Sequence, residues 1–387
     1  MQKAMMNTLF SQLDANIPFS VQFPDGTFEY YGAQIPRLTI KIGPNFSMKK
    51  FISEPSVAFG EAYMNGDIDI DGRIEDLISI AYFNKQKLWN KSLPKLPHIT
   101  LKKAQKNVQH HYDVGNDFYS LWLDETMSYS CAYFKEPSNS LEQAQLNKID
   151  HVLKKLQLKE GESFLDIGSG WGGLIIRAAQ IYGVRAIGVT LSKEQYHKTN
   201  ERIQKLGLEE QVTVALMDYR ELSKRGIVFD KISSVGMFEH VGQSDHPAFM
   251  ETVDALLKDK GTALLHTITH QKEEVGDPWI QKYIFPGGYI PSLREIIALL
   301  PDYNFHVADV ESLRLHYAKT LDHWAFQFDE KEDEIQKMYG EKFVRMWRLY
   351  LQSSAAFFRN GGLNIHQILF TKGVNNQLEM TRDHLYK

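Results

Sequence analysis

The segment FLDIGSGWGG sets Gly168, Gly170 and Gly173 behind a short apolar run. They satisfy G-x-G-x-x-G, a spacing that brings backbone N–H groups and a helix N-terminus up to a dinucleotide pyrophosphate. Two neighbours argue against that ligand. Asp166 lies inside the run just before the first glycine, where its carboxylate would face an approaching pyrophosphate. The next apolar run ends in Thr190, where a dinucleotide site expects Asp or Glu for the ribose hydroxyl. S-adenosylmethionine fits these residues better. It has no phosphate, and it carries an ammonium that Asp166 can help to hold, directly or through water. Gly168 and Gly170 let the backbone approach its amino-acid portion closely. Asp218 ends the third run, where adenine would lie.

Such a site needs elements that end together. After residue 104, LEQAQLNKIDHVLKKLQL has apolar residues near helical spacing, and SFLDIG is a short apolar strand. GLIIRAAQIYG reads as a helix, RAIGVTL as a strand, and KEQYHKTNERIQKLGL as a helix ended by Gly207. QVTVALMD, FDKISSVGMFEH and GTALLHTIT read as strands, with the helix PAFMETVDALLKD before the last. This alternation predicts an α/β fold, a parallel sheet with helices on both faces and right-handed crossovers. Ligands of such sheets bind beyond the carboxyl ends of the strands. Glu239 and His266 each end one of these expected strands, so both can face one pocket. The final LNIHQILFTKG reads as an edge strand.

The chain before residue 90 has another character. VQFPDGTFEYYG alternates around a PDG turn and reads as a hairpin, and RLTIKIG is a further alternating strand. Residues 56–63 and 74–83 read as helices. The two prolines of SLPKLPHIT mark a linker over 91–103, leaving 104–387 as the second domain.

The 387 residues are 43% hydrophobic and 24% charged, with a net charge of −4, an ordinary balance that suggests no nucleic-acid partner. One cysteine, Cys131, excludes a disulfide framework and a Cys-rich zinc site. The fourteen histidines contain no H-E-x-x-H, so no metal site is expected. There is no apolar run long enough to span a bilayer and no signal-peptide pattern, and the single cysteine points to a reducing cytoplasm. Between Asp76 and Asp113 there is no carboxylate. That stretch carries Lys85, Lys87, Lys91, Lys95, Lys102, Lys103 and Lys106, with Tyr82 and Trp89 nearby. Each lysine near an anionic bilayer contributes about 1 kcal/mol; a solvated linker is the plainer reading.

HHYDVGNDFYSLWLD, MSYSCAYF, LDIGSGWGG, GVTLSKEQ, SVGMFEHVG, LLHTI and DPWIQKYIFPGGYIPS together resemble the bacterial cyclopropane-fatty-acyl-phospholipid synthases and the mycolic acid cyclopropane synthases. The likeness runs from about residue 104 to the C-terminus. The N-terminal extension resembles the phospholipid-acting branch. One departure is Ser169, where the family usually has cysteine. The resemblance implies a Rossmann-like methyltransferase fold, with a seven-stranded, mostly parallel sheet and a smaller α+β N-terminal domain. It implies that Tyr129 and Ser130 close over the methionine end of the cosubstrate, which Gly168, Gly170 and Gly172 line. Thr190 and Gln195 would reach the ribose, and Asp218 and Tyr219 would flank adenine.

The implied reaction puts a methylene across the cis double bond of a phospholipid acyl chain. The methyl goes to one alkene carbon, a cation forms on the other, and a proton leaves so that the ring closes. The family uses bicarbonate as the base, and its holders map onto Cys131, Glu239, His266, Ile268 through its backbone, and Tyr317. Thiol, imidazole, phenol and N–H can donate to an oxyanion, whereas ionised Glu239 can only accept the bicarbonate hydroxyl. The implied partners are a bilayer surface at the inner face of the cell membrane, unsaturated acyl chains and a second copy in a homodimer. A methyltransferase making methyl or methylene branches, or acting on another hydrophobic acceptor, is the alternative; a non-catalytic lipid-binding scaffold is a third.

Each residue also has a plainer role. A lone cysteine is ordinarily a small buried hydrophobe. His266 could be a satisfied strand histidine, Glu239 a helix cap, and His240 purely structural. Adjacent His110 and His111 make a poor metal pair and suit ordering of a lid. Trp279, Tyr283, Phe285 and Tyr289 could be core, or an apolar acyl channel whose π-faces stabilise the cation. HYAKTLDHWAFQF and FVRMWRLYLQSSAAFF read as amphipathic helices closing that pocket.

Overall fold

The structure is a computed structural model that describes residues 2–88 and 115–386. The linker at 91–103, Trp89, Lys91, Lys95, Lys102, Lys103, Lys106, His110 and His111 lie outside the described residues.

Chain contacts divide the protein into two compact units, each assembled from separate stretches. The first combines 1–95 with 276–284 and 321–362. The second combines 96–275 with 285–320 and 363–387.

The first unit holds a four-stranded sheet of β1 (Phe19–Gln22), β2 (Phe28–Tyr31), β3 (Leu38–Ile42) and β4 (Ile68–Asp71), in the order β2-β1-β3-β4. The hairpin forms as expected, with Phe19 opposite Tyr31 and Gln22 opposite Phe28. β3 lies parallel to β1. Its LTIKI buries every second residue, as a half-buried strand must, and Leu38, Ile40 and Ile42 join Phe19, Val21 and Ile80 in one core. The helices Pro55–Met64 and Ile74–Phe83 also match expectation.

Here the long helix Glu341–Asn360 finds its partners. Its apolar stripe packs on the helices Ile74–Phe83 and Pro55–Met64. Asn360 Nδ2 donates to Ser79 Oγ at 2.7 Å, Arg359 pairs with Glu75 and Asp322, and Arg345 lies 4.2 Å over the Tyr63 ring. Trp279 belongs to this unit too. It is 4% exposed, donates to Met64 Sδ, and sits so close to Gly60 that a Cβ there would meet its ring at 2.2 Å. Thus 276–284 and 321–362 count with the N-terminal unit, although a boundary at residue 104 assigned them to the other. The four aromatics read as one channel are divided: Trp279 and Tyr283 lie in the first unit, Phe285 and Tyr289 in the second.

The second unit is built on seven strands: β5 (Ser163–Ile167), β6 (Arg185–Thr190), β7 (Val212–Leu216), β8 (Phe229–Val235), β9 (Leu257–Thr269), β10 (Phe305–Ser312) and β11 (Asn364–Lys372). Their order is β10-β11-β9-β8-β5-β6-β7, and β11 alone runs against its neighbours. Helices cover both faces. Leu165 and Leu265 enter one core with Phe249 and Met250, while adjacent Phe164 and Leu264 enter the opposite core with Val152 and Ile175. Both alternate positions must therefore be apolar. Each such side chain contributes about 1.5–3 kcal/mol through burial.

Two expectations change. The final strand is internal, because β10 pairs along its outer side. Polar His366, Gln367 and Thr371 suggest an edge, yet all three are buried. The true edge, FHVADVES, is largely exposed and carries little apolar signal. Also, Glu239 does not end a strand. β8 stops at Val235, where Gly236 turns the chain at φ +65°, and Glu239 falls in a short 3-10 turn. His266 lies inside β9, three residues before its end.

Candidate active site

Strand order reverses at β5, which has β6 on one side and β8 on the other. That arrangement opens a crevice at the strands' carboxyl ends. A cleft there is lined by Tyr129, Ser130, Asp166, Gly168, Gly170, Thr190, Gln195, Asp218 and Tyr219, among others. Nine of the ten expected cosubstrate residues are brought together. Gly172 is the exception. It begins the helix Gly173–Tyr182 at φ +80°, and a Cβ would meet Thr199 Cγ2 at 2.4 Å, so it serves close packing behind the cleft. At Gly168, φ +83°, a Cβ would meet Met237 Cγ at 2.6 Å. The loop is thus narrow on the β8 side because residue 168 has no side chain.

Asp166 is 3% exposed in β5 and accepts a 2.6 Å hydrogen bond from Ser233 Oγ. Burial pushes its pKa up to about 6, against the pull of that hydroxyl and of Lys148. A buried carboxylate with so little compensation favours a cation beside it, as the ammonium of S-adenosylmethionine would be. Thr190 Oγ1 donates to Gln195 Oε1 at 2.7 Å, fixing both where the ribose is expected. Asp218 caps a short turn and is gripped by Arg220 in two bonds of 2.8 and 2.7 Å. Tyr219, 8% exposed, meets Phe249 edge to face.

One wall of the cleft is the segment Thr126–Ser130, held from behind by Asp124. Asp124 accepts from Thr126 N at 2.8 Å and Ser128 N at 3.0 Å, and between them Met127 is held at φ +58°. Gln145 Nε2 donates to Ser128 O and Ser130 O, and Lys148 Nζ to Ser130 Oγ at 2.8 Å. Arg202 bridges Thr126 O and Trp171 O, tying this wall to the glycine loop. Gln145, Lys148 and Arg202 escape notice in the sequence, where charged helical residues look like solvent contacts. The helical spacing of Lys148 from Ala144, Gln145 and Val152, all buried, is the signal that places it on the inner face.

The five residues of the second cluster are all present in this unit. Glu239 is half-buried, and its Oε1 accepts the Ile268 N–H at 2.7 Å. The expectation gave that N–H to an anion; here it fixes Glu239. Burial raises the Glu239 pKa to about 7, so its charge changes near neutrality. His266 shares a face of β9 with Ile268. It is 0% exposed, and burial holds its pKa down at about 3, so the ring is neutral. With Gln367 Nε2 donating to Nδ1 at 3.1 Å, the ring hydrogen falls on Nε2. Glu239 Oε2 and His266 Nε2 are buried without a hydrogen-bond partner. The two residues are linked through Gly236, whose N–H donates to His266 O at 2.9 Å. A buried polar atom left unpaired costs about 1–3 kcal/mol, so these two mark a place suited to a polar guest.

Cys131 is fully buried, which pushes its thiol pKa well up and keeps it a neutral donor rather than a nucleophile. Its Sγ reaches Ala132 O at 3.3 Å and Leu313 O at 3.9 Å. Leu313 O also accepts Tyr317 N–H, so Cys131 rests against the turn that carries Tyr317. The structure joins Glu239 to Ile268 and Cys131 to the Tyr317 turn by direct contacts. Ser169 Oγ is buried without a partner. Among the described residues no group of His, Cys, Asp and Glu could hold a metal ion.

Comparison with known proteins agrees with this geometry. The mycolic acid cyclopropane synthetase family matches residues 99–368, and a domain of unknown function matches residues 5–92. The cyclopropane-fatty-acyl-phospholipid synthase of Escherichia coli K12 is 40% identical over 349 residues, covering 88% of this chain and 89% of its own. A probable fatty acid methyltransferase of Pseudomonas putida is 37% identical, covering 89% and 93%. A mycolic acid cyclopropane synthase solved in complex with SAH and CTAB is 34% identical with a TM-score of 0.65, covering 72% of this chain and 99% of that one. The chain belongs to the mycolic acid cyclopropane synthetase family, and its larger unit is an S-adenosylmethionine-dependent methyltransferase.

Proposed function

We propose that this methyltransferase transfers a methylene to the cis double bond of unsaturated phospholipid acyl chains, forming a cyclopropane ring. The carrying observation is Glu239, a buried carboxyl beside the cleft that is fixed through one oxygen and unpaired at the other. The name of the Escherichia coli relative supports the lipid acceptor.

An alkene is a poor nucleophile, and the cosubstrate when bound supplies an electrophilic methyl. Asp166, the Thr190–Gln195 pair and Asp218 orient that ligand, so alignment precedes chemistry. The new methyl must then lose a proton. Bicarbonate, when bound, supplies the base. The residues suit it: the Cys131 thiol, the His266 Nε2–H and the Tyr317 phenol are donors. Glu239 Oε2 would accept the hydroxyl hydrogen and orient the ion. Ile268 acts through Glu239, by holding its other oxygen. Burial of Cys131, His266 and Tyr317 helps to exclude water that would quench a cation.

A second reading, formation of methyl or methylene branches, is favoured by the Pseudomonas putida relative named a probable fatty acid methyltransferase. One experiment separates the two. Vesicles of unsaturated phospholipid are incubated with the protein and S-adenosylmethionine, and the lipids are examined by proton NMR. High-field ring methylene signals with loss of olefinic signal are expected. Exocyclic methylene or branched methyl signals would favour the second reading.

Access to the acyl chain requires contact with a bilayer, at the inner face of the cell membrane in this reading. Among the described residues no helix is long and apolar enough to cross one. The exposed Phe83 fits interfacial contact, and Lys87 is paired with Asp14 at 2.7 Å. Replacing Lys85, Lys87, Lys91 and Lys95 by glutamine is expected to weaken binding to anionic vesicles. Unchanged binding would remove this surface from the proposal. Association as a homodimer belongs to the same reading, and light scattering tests it.

A further inference from the structure

The amino-acid end of S-adenosylmethionine is a zwitterion. Asp166 suits its ammonium; its carboxylate has no assigned partner. Two basic side chains line the cleft, Lys148 and Arg220. Arg220 is engaged by both oxygens of Asp218. Lys148 differs. It lies in the middle of the helix Leu141–Leu156, is 4% exposed, and its Nζ donates to Ser130 Oγ at 2.8 Å. Among the described residues no carboxylate comes within ion-pairing distance of that nitrogen. Burial lowers the Lys148 pKa, with Asp124 and Asp166 pulling the other way; Asp124 is committed to the backbone of Thr126 and Ser128, and Asp166 to Ser233. A buried ammonium with one neutral partner is costly unless an anion joins it.

Lys148, Ser130, Asp166 and Gly168 line the same cleft. Cys131, Glu239 and His266 are not among its lining residues, whereas Lys148 is. We propose that Lys148 binds the carboxylate of S-adenosylmethionine, opposite the Asp166 carboxylate, so that the cleft recognises the zwitterion by charge at both ends. Ser130 positions the Lys148 ammonium through its hydroxyl. This rests on the cleft being the cosubstrate site.

The test removes the charge from each side in turn. S-adenosylhomocysteine and its decarboxylated analogue, S-adenosyl-3-thiopropylamine, are titrated calorimetrically into the full-length protein and into Lys148→Met. In the unaltered protein the carboxylate should strengthen binding by about 10- to 100-fold, the scale of a charge-assisted hydrogen bond. In Lys148→Met that preference should fall to within about threefold, through loss of affinity for S-adenosylhomocysteine alone. If the variant weakens both ligands equally and keeps the preference, Lys148 only supports the wall of the cleft and the proposal is overturned. Should Lys148→Met fail to fold, the unaltered protein decides: equal affinity for the two ligands overturns the assignment. No binding of S-adenosylhomocysteine to the unaltered protein would instead overturn the reading of the cleft, and the proposal with it.

Discussion

In the cosubstrate cleft, polar groups largely hold one another. Thr190 bonds Gln195, Arg220 grips Asp218, Gln145 supports Ser128 and Ser130, and Arg202 ties two walls together. Around Glu239 the balance is different. One carboxylate oxygen is fixed by Ile268 and the other is unpaired, His266 carries an unpaired Nε2, and the Cys131 thiol makes weak contacts with the Ala132 and Leu313 carbonyls. The cleft is preorganised for a large ligand whose shape does not change in the reaction. In the reading proposed above, the second cluster is a set of donors with one acceptor, suited to stabilising charge that exists only briefly. Replacing a group in the first should therefore cost binding, and in the second, turnover.

The sharpest separation is expected from Glu239→Gln. Turnover should fall by about 10²- to 10⁴-fold, as for loss of a group that directs proton transfer, while calorimetric affinity for S-adenosylhomocysteine stays within about twofold. A comparable loss of affinity would merge the two regions into one.

The same variant should reveal the cost of the buried charge. The Glu239 pKa is about 7 in the folded chain against 4.5 ordinarily, so the native state binds more protons between those values. Native stability therefore falls as pH rises through that window, by up to about 3 kcal/mol. Glu239→Gln removes this dependence. Its stability in urea relative to the unaltered protein should rise between about pH 5 and about pH 8, and a constant difference would deny the shift.

Asp166→Asn should show the reverse preference, with S-adenosylhomocysteine binding about 10- to 100-fold weaker through loss of a charge-assisted bond. Stability above about pH 6 should nonetheless improve, because Asp166 is also raised by burial. Gly168→Ala, strained at φ +83° and crowding Met237, should destabilise the fold by about 1–3 kcal/mol in the same urea experiment. Ser169→Cys is expected to be nearly silent, within about 1 kcal/mol, since the hydroxyl it removes has no partner.

Most of the methyltransferase scaffold is legible from alternating apolar runs, because both faces of each parallel strand are buried. The cleft is legible because Asp166, near the end of β5, and Gly168 and Gly170, in the loop after it, stand within five residues of one another. Other features depend on contacts that no local pattern encodes. β10 is a polar edge strand, and β11 hides His366 and Gln367 in the interior by pairing on both sides. The helix Glu341–Asn360 announces its amphipathic stripe but not the helices it packs on. Lys148 has the right helical spacing, yet a lysine on an inner face is seen only once the cleft is assembled. The family resemblance supplied Glu239, Ile268 and Tyr317; the bond between the first two is visible only in three dimensions.

The difference between the two regions is tested most directly by depleting the reaction of bicarbonate. Methyl transfer to unsaturated phospholipid vesicles would be followed in carbon-dioxide-free buffer, with S-adenosylhomocysteine binding measured in parallel. We expect turnover to collapse and to be restored by added bicarbonate, with binding in the cleft unchanged. Full turnover without bicarbonate would contradict the role given to Glu239 and its neighbours.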